Sequence, residues 1–235
     1  MKKIMNATFI LLFMLITSIT KASVVLERTR LIFPMDNSTR TLQIFNHSEQ
    51  PTLIQAWIDD GDIASTPETT TVPFIVIPPM AKMTAKGGLQ LKIQQLENRL
   101  PKDRESVFYL NVLDIAPKPQ NKENFSTLQL ALQTRIKLFY RPAQLKLTTE
   151  EVFKQIVITH HGKYLEINNP TAYYFTISKL SFDDKKEELL TNAIMIAPFA
   201  KQQIQYQERI DMNQDITISY IDDDGRYQQN KKNIH

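Results

Sequence analysis

The chain has 235 residues, 28 of them basic and 25 acidic, with 42% hydrophobic residues and no cysteine. Without cysteine there is no disulfide-stapled mini-domain, no thiol nucleophile and no cysteine-based metal site. A formal charge of +3 without clustered Lys and Arg falls short of a nucleic-acid footprint.

The first element in the chain is a targeting segment. Lys2 and Lys3 give a basic start, and the apolar run from Phe9 to Ile19 is shorter than the ~20 residues of a membrane-spanning helix. Thr20-Lys21-Ala22 then places small residues where a leader peptidase reads them. This pattern predicts a secretory signal peptide over residues 1–22, cleaved between Ala22 and Ser23; an uncleaved N-terminal anchor is the alternative. Lys2, Lys3 and Lys21 leave with the segment and no acid does, so basic and acidic residues then balance. No later apolar run approaches spanning length, which predicts a soluble mature protein without membrane insertion.

The remaining chain reads with period two. Thr41 to Phe45, Leu53 to Ile58, Phe74 to Ile77, Leu89 to Ile93 and Val107 to Ile115 alternate, as do Val152 to Ile158, Tyr173 to Phe182 and Ile216 to Ile221. Turn residues separate them at Asp36-Asn37-Ser38, Asp59-Asp60-Gly61-Asp62, Pro78-Pro79, Gly87-Gly88 and Asp222-Asp223-Asp224-Gly225. Many short strands at such spacing predict an all-β sandwich. One helical turn is allowed near Leu96 to Leu100. A long strand stops at Arg141-Pro142, because proline cannot continue a central ladder. The parts on either side are each the size of one immunoglobulin-like domain. The expectation is an N-terminal domain over 23–142 and a C-terminal domain over 143–235, set at a fixed angle with a cleft between them.

Within the strand that ends there, Leu128, Leu130 and Leu132 fall on one side, and Gln129, Ala131 and Gln133 on the other. The pattern alone fits a core-facing leucine row. It also fits an edge strand that presents its leucines to another protein.

The stretch Ala131-Leu132-Gln133-Thr134-Arg135-Ile136-Lys137-Leu138-Phe139-Tyr140-Arg141-Pro142 resembles the signature of the PapD-like periplasmic pilus chaperones. Leu100 to Asn111 and the start Leu26-Glu27-Arg28-Thr29-Arg30 match the same family in order and spacing. Weaker matches fall at Gln55-Ala56-Trp57-Ile58, Pro78-Pro79 and Asn169-Pro170-Thr171-Ala172-Tyr173-Tyr174. The resemblance implies two immunoglobulin-like domains and a periplasmic chaperone of the chaperone-usher pathway. Such a chaperone lends a β-strand to incomplete pilus subunits and delivers them to an outer-membrane usher.

By position the family's carboxylate anchor is Arg30 and Lys137, its strand-pairing leucines are Leu128, Leu130 and Leu132, and its interdomain salt-bridge cluster is Glu105, Arg141 and Asp223. Asp222 and Asp224 flank the last of these. The short loop from Pro117 to Ser126 resembles the short-loop branch of the family. One detail does not follow from alternation: Lys137 has the opposite parity to Leu132. Either a bulge or bend lies between them, or the two contacts use different faces of the strand. Without a subunit, an exposed leucine edge is an aggregation liability, and a self-capped homodimer is expected.

No enzyme is expected. No nucleophile elbow, phosphate loop or spaced His-Glu zinc motif occurs, no cofactor or metal is implied, and His160-His161 precedes a turn at Gly162. The acidic run Asp222 to Asp224 lacks the downstream Glu of a calcium loop. A different class remains as the alternative: a secreted β-sandwich module that binds carbohydrate, as adhesins do. It would want an exposed aromatic platform, whereas Trp57, the one tryptophan, sits in an alternating strand and is expected to face the core. A pilus subunit is a third reading, but that would be one incomplete domain.

Overall fold

The computed structural model describes residues 23–117, 129–182, 189–190, 192–205 and 215–234. The expected signal segment, Leu128 and most of the loop before it lie outside the described residues. The first part of the chain forms β1 (Val24–Leu26), β2 (Arg30–Pro34), β3 (Thr39–Asn46), β4 (Thr52–Asp59), β5 (Phe74–Ile77), β6 (Met80–Met83), β7 (Gly88–Gln95), β8 (Ser106–Ile115) and β9 (Ala131–Arg141). One sheet runs β1-β3-β7-β5 and a second runs β2-β9-β8-β4-β6. The chain crosses from the first sheet to the second between β1 and β2. The expected period-two runs become strands because each buries one row of side chains and leaves the other row for solvent or a second contact.

Leu31 and Phe33, Leu42 and Ile44, Ile54 to Ile58 at alternate positions, Leu91 and Ile93, and Phe108, Leu110 and Val112 fill the space between the two sheets with Ile136, Leu138 and Tyr140. Phe74 meets Phe33, Phe108 and Tyr140 edge-on, with centroids 5.4, 5.0 and 5.7 Å apart. The Tyr140 hydroxyl accepts from Gln95 Nε2 at 3.0 Å, so its polar tip is satisfied where the ring is buried.

The second part adds α1 (Thr149–Gln155), β10 (Val157–His161), β11 (Tyr164–Asn168), β12 (Phe175–Phe182), β13 (Ile194–Ile196), β14 (Lys201–Gln205), β15 (Asp215–Ile221) and β16 (Tyr227–Asn233). Its sheets run β10-β11-β14 and β13-β12-β15-β16. They enclose a separate core built on Phe153, Ile158, Ile167, Phe175, Ile177, Ile216, Ile218 and Tyr220.

Three expectations change. The strand over Val152 to Ile158 is in its first half the helix α1, and strand begins only at Val157. Thr148 caps the helix with a reciprocal bond pattern: its Oγ1 accepts from Glu151 N at 3.3 Å and its own N–H donates to Glu151 Oε2 at 2.8 Å. No helical turn forms over Leu96 to Leu100. There Asn98 accepts from Leu100 N and donates to Leu96 O, a local side-chain turn that competes with helix. Trp57 is buried but does not join the core. Ile54, Ala56 and Ile58 take the core face of β4, while Trp57 lies on the outer face and donates to Ser65 Oγ at 3.3 Å. At 7% exposure it offers no aromatic platform.

Candidate functional site

The geometry of β9 follows from what its two neighbours cover. On one side β8 pairs with it along its whole length, from Ile115↔Ala131 to Ser106↔Tyr140, without a shift of register. On the other side β2 runs parallel to it and pairs only Arg30–Pro34 with Lys137–Arg141. Ala131 to Ile136 therefore present an open backbone edge at the side of the five-stranded sheet. The core-facing row of β9 is Ile136, Leu138 and Tyr140, and it continues outward through Leu132 to Leu130, which are 56% and 64% exposed. These leucines have the polarity of core residues, but among the described residues no opposing sheet covers them.

This register also settles the parity of Lys137. The ladder is unbroken, so no bulge brings Lys137 round to the leucine side. Lys137 points to the outer face with Gln133, Arg135 and Phe139, while the leucines point to the inner one. The strand therefore uses both faces: leucines along its open length, and a lysine where the open length ends.

At that end Arg30 and Lys137 are direct register partners. Arg30 is 7% exposed and donates from Nη1 to the Ile221 carbonyl of the second domain at 3.1 Å, while its guanidinium stands 5.8 Å from the Phe139 ring centroid. Its Nε has no acceptor among the described residues. No described carboxylate reaches ion-pair distance of either cation; Asp223, Asp222 and Glu105 act on Arg30 only from farther away. Burial pushes the Arg30 guanidinium below its usual value despite those acids. Burial, and then the charge of Arg30, likewise hold the Lys137 ammonium below the ordinary lysine value. Two adjacent cations, desolvated and short of an anion, form a site complementary to a carboxylate.

The expected cluster of Glu105, Arg141 and Asp223 lies beside this pair. Arg141 donates from Nε to Glu105 Oε1 at 2.6 Å, and from Nη1 and Nη2 to Asp223 at 2.5 and 2.8 Å. Of the three consecutive aspartates it is thus Asp223 that faces Arg141; Asp222 accepts from Arg226 instead. Glu105 Oε2 accepts from Tyr174 N at 2.8 Å, and Glu105 N donates to Ala172 O at 2.9 Å. Burial pushes the Glu105 carboxyl up, and Arg141 only partly offsets it. Against burial, the bonds from Asp223 and the charge of Glu105 hold Arg141 above its usual value.

The loop that meets Glu105 is stiffened from behind. The fully buried Asn169 donates to Tyr173 O at 2.7 Å and to Ala197 O at 3.0 Å, and accepts from Thr171 N and Oγ1. The Tyr174 ring then stands 5.8 Å from Phe139, across the domain boundary.

A further network on the outer face of the sheet was not legible in the sequence. Arg135 forms an ion pair with the buried Asp59, which also accepts from Asn111 Nδ2 at 2.6 Å and from Gly61 N at 2.7 Å. Gln133 Nε2 donates on to Asn111 Oδ1 at 2.8 Å, and the Arg135 guanidinium sits 3.8 Å over the Tyr109 ring. These residues lie on three different strands and carry no local motif; only the strand register brings them together. The network ties two residues of β9 to the sheet interior and so fixes its outer face.

Burial acts to raise the Asp59 carboxyl, but bonds from Arg135, Asn111 and Gly61 outweigh it and hold it below the usual aspartate range. The stability from this depressed group is present above the ordinary aspartate value and is lost as pH falls through the folded-state value. Asp59→Asn is expected to cost about 3 kcal/mol near neutral pH. In urea titrations the gap to the unaltered protein should shrink toward acid; a gap independent of pH would contradict the ion-pair account.

Among the described residues no helix is long and apolar enough to cross a membrane, and no group of His, Cys, Asp and Glu could hold a metal. Residues 23–146 match the family model for the N-terminal domain of the PapD pili and flagellar-assembly chaperones, and residues 151–232 match the model for the C-terminal domain of the PapD pili assembly chaperones. The chain is 41% identical over 206 residues to the probable fimbrial chaperone YehC of Escherichia coli K12, covering 88% of this chain and 84% of that protein. It is 34% identical to the chaperone protein MrkB of Klebsiella pneumoniae over 86% of this chain and 88% of that one. The crystal structure of the CupB2 chaperone of Pseudomonas aeruginosa superposes with a TM-score of 0.77 at 30% identity, covering 90% of this chain and all of that one.

Proposed function

We propose, from the premise that this chain belongs to the PapD family of pilus-assembly chaperones, that it acts in the periplasm by lending β9 to incomplete pilus subunits. Residues 1–22 are removed, residues 23–142 carry the lent strand, and residues 143–235 close the cleft. Arg30 and Lys137 take the subunit's C-terminal carboxylate, and the loaded chaperone hands the subunit to the outer-membrane usher. The observation that carries this reading is the open edge of Ala131 to Ile136, which runs directly into a cation pair that no carboxylate among the described residues pairs with.

The energetics fit. Each main-chain bond along the edge adds about 0.5–1.5 kcal/mol, and burying each of Leu130 and Leu132 adds about 1.5–3 kcal/mol. Leu128 would extend the row. The carboxylate contributes in a second way: it fixes register, and register decides which subunit grooves the leucines enter. The chain between Ile115 and Ala131 is short, which suits the short-loop branch.

Periplasmic co-expression with a pilus subunit tests the reading. A one-to-one complex is expected in which the amides of Ala131 to Ile136 exchange far more slowly than in the free chaperone. Complex formation with unchanged exchange there would rule out strand lending.

The free protein should cap its own edge. A concentration-dependent homodimer is expected in sedimentation, and Leu130→Glu with Leu132→Glu should return it to a monomer, since inward-pointing charges block edge pairing. A dimer that survives both charges uses another surface.

A further inference from the structure

Asp114 closes the core-facing row of β8 and is 8% exposed. It lies between Ile54 of β4 and Leu132 of β9 in the strand register. Each of its oxygens accepts a hydroxyl: Oδ2 from Ser23 Oγ and Oδ1 from Thr52 Oγ1. Thr52 has one hydroxyl proton and shares it with the Ile115 carbonyl, 2.9 Å away. No Lys, Arg or His among the described residues pairs with Asp114. A carboxylate buried with only neutral and shared donors is costly, and a buried charge is ordinarily matched by a cation.

One such cation is supplied by the chain itself. The Ser23 carbonyl accepts from His47 N at 2.6 Å, and the next residue, Val24, is in register with Asn46 of β3. The backbone of Ser23 is therefore fixed while its hydroxyl touches Asp114. Its own nitrogen shares a Cα with that side chain and so stands within a few ångströms of the carboxylate. In the unprocessed chain this nitrogen is a neutral amide. Hydrolysis of the Ala22–Ser23 bond adds one water across it, leaving a carboxylate on the departing segment and a primary ammonium on Ser23.

We infer that Asp114 is the receptor for the chain's own α-ammonium, created when the leader is removed, and that the resulting ion pair bolts β1 of one sheet to β8 of the other. The bolt stands opposite Leu132, where the lent strand leaves the covered part of the sandwich. Processing would then complete the corner from which the open edge projects. The inference rests on cleavage after Ala22.

Intact mass of the secreted protein separates the two premises: an N-terminus at Ser23 is expected, and any other start overturns the inference through its premise alone. Urea unfolding then compares four secreted forms: unaltered, two glycines inserted between Ala22 and Ser23, Asp114→Asn, and the insertion with Asp114→Asn. The insertion moves the ammonium away but keeps the Ser23 hydroxyl. It is expected to lower the folding equilibrium constant at least about tenfold in the unaltered background, as loss of a charge-assisted bond does, and to have no effect beside Asp114→Asn. An equal loss in both backgrounds, or none in the first, overturns the pairing. Should Asp114→Asn fail to fold, the α-amino pKa of the unaltered protein decides by NMR. A value clearly above the ordinary ~8 supports the ion pair, and a value at or below it overturns it.

Discussion

Arg30→Ala and Lys137→Ala are each expected to weaken capture of a pilus subunit roughly ten- to hundredfold while leaving the free chaperone as stable as before, or more so. The two halves of this result have one cause. On the proposed reading a terminal carboxylate would receive charge-assisted bonds from both cations, each about 1.5–3 kcal/mol, so each loss should weaken binding roughly ten- to hundredfold. In the free protein, however, Arg30 is nearly buried, and among the described residues its Nε has no acceptor and neither cation has an anion within ion-pair reach. Such charges cost folding free energy instead of adding to it. A structural arginine would show the opposite pattern, with lost stability accompanying lost binding. That outcome in urea titrations of Arg30→Ala would remove Arg30 from the site.

The pH dependence gives the same test a sign. Lys137 titrates below the ordinary lysine value in the folded protein, so between its folded and unfolded values the unfolded chain binds more protons. Stability of the free chaperone should therefore rise with pH across that alkaline window, whereas affinity for the subunit should fall as the ammonium loses its charge. Lys137→Met should remove the affinity trend and reduce the stability trend, to which Lys232, also lowered by burial, contributes in the same direction. Parallel trends in stability and affinity would point to another titrating group.

Strands were legible because their period is two and their outer rows are polar. The leucine row was visible for the same reason, but its exposure was not. Leu132 has the same sequence character as Leu138, and only the length of β2 decides which of them has a second neighbouring strand. The helix α1 was missed because a segment of fewer than two full turns that buries Val152 and Phe153 shows no helical period. Its capping pair, Thr148 and Glu151, was nevertheless readable. Lys137 keeps the parity that alternation gives it, and the unbroken register supplies what alternation could not: two faces, without a bulge. Asp59, Asn111 and Arg135 had no signal at all, because a network between strands distant in sequence has no spacing.

Arg141→Ala is expected to be the most destabilising single change in the protein, at roughly 3–5 kcal/mol. It leaves Glu105, 3% exposed, without its cation and frees Asp223 from its two bonds across the domain boundary. The two cores are separate, so the loss should appear as uncoupling: one thermal transition splitting into two, with a broadened interdomain distance distribution in solution scattering. Glu105→Gln should be milder. Burial already pushes that carboxyl up, and a neutral amide oxygen still accepts the Tyr174 N–H. Replacing all three members with apolar residues of similar volume should recover much of the stability, as it does for other buried ion clusters. If the apolar triple variant regains a single transition yet still fails to hold subunits, the cluster sets the angle of the cleft, because stability alone would then have been restored without the geometry that brings Ile221 to Arg30. If the triple variant captures subunits normally, the charges serve only stability, and the position of Arg30 is fixed by its own strand.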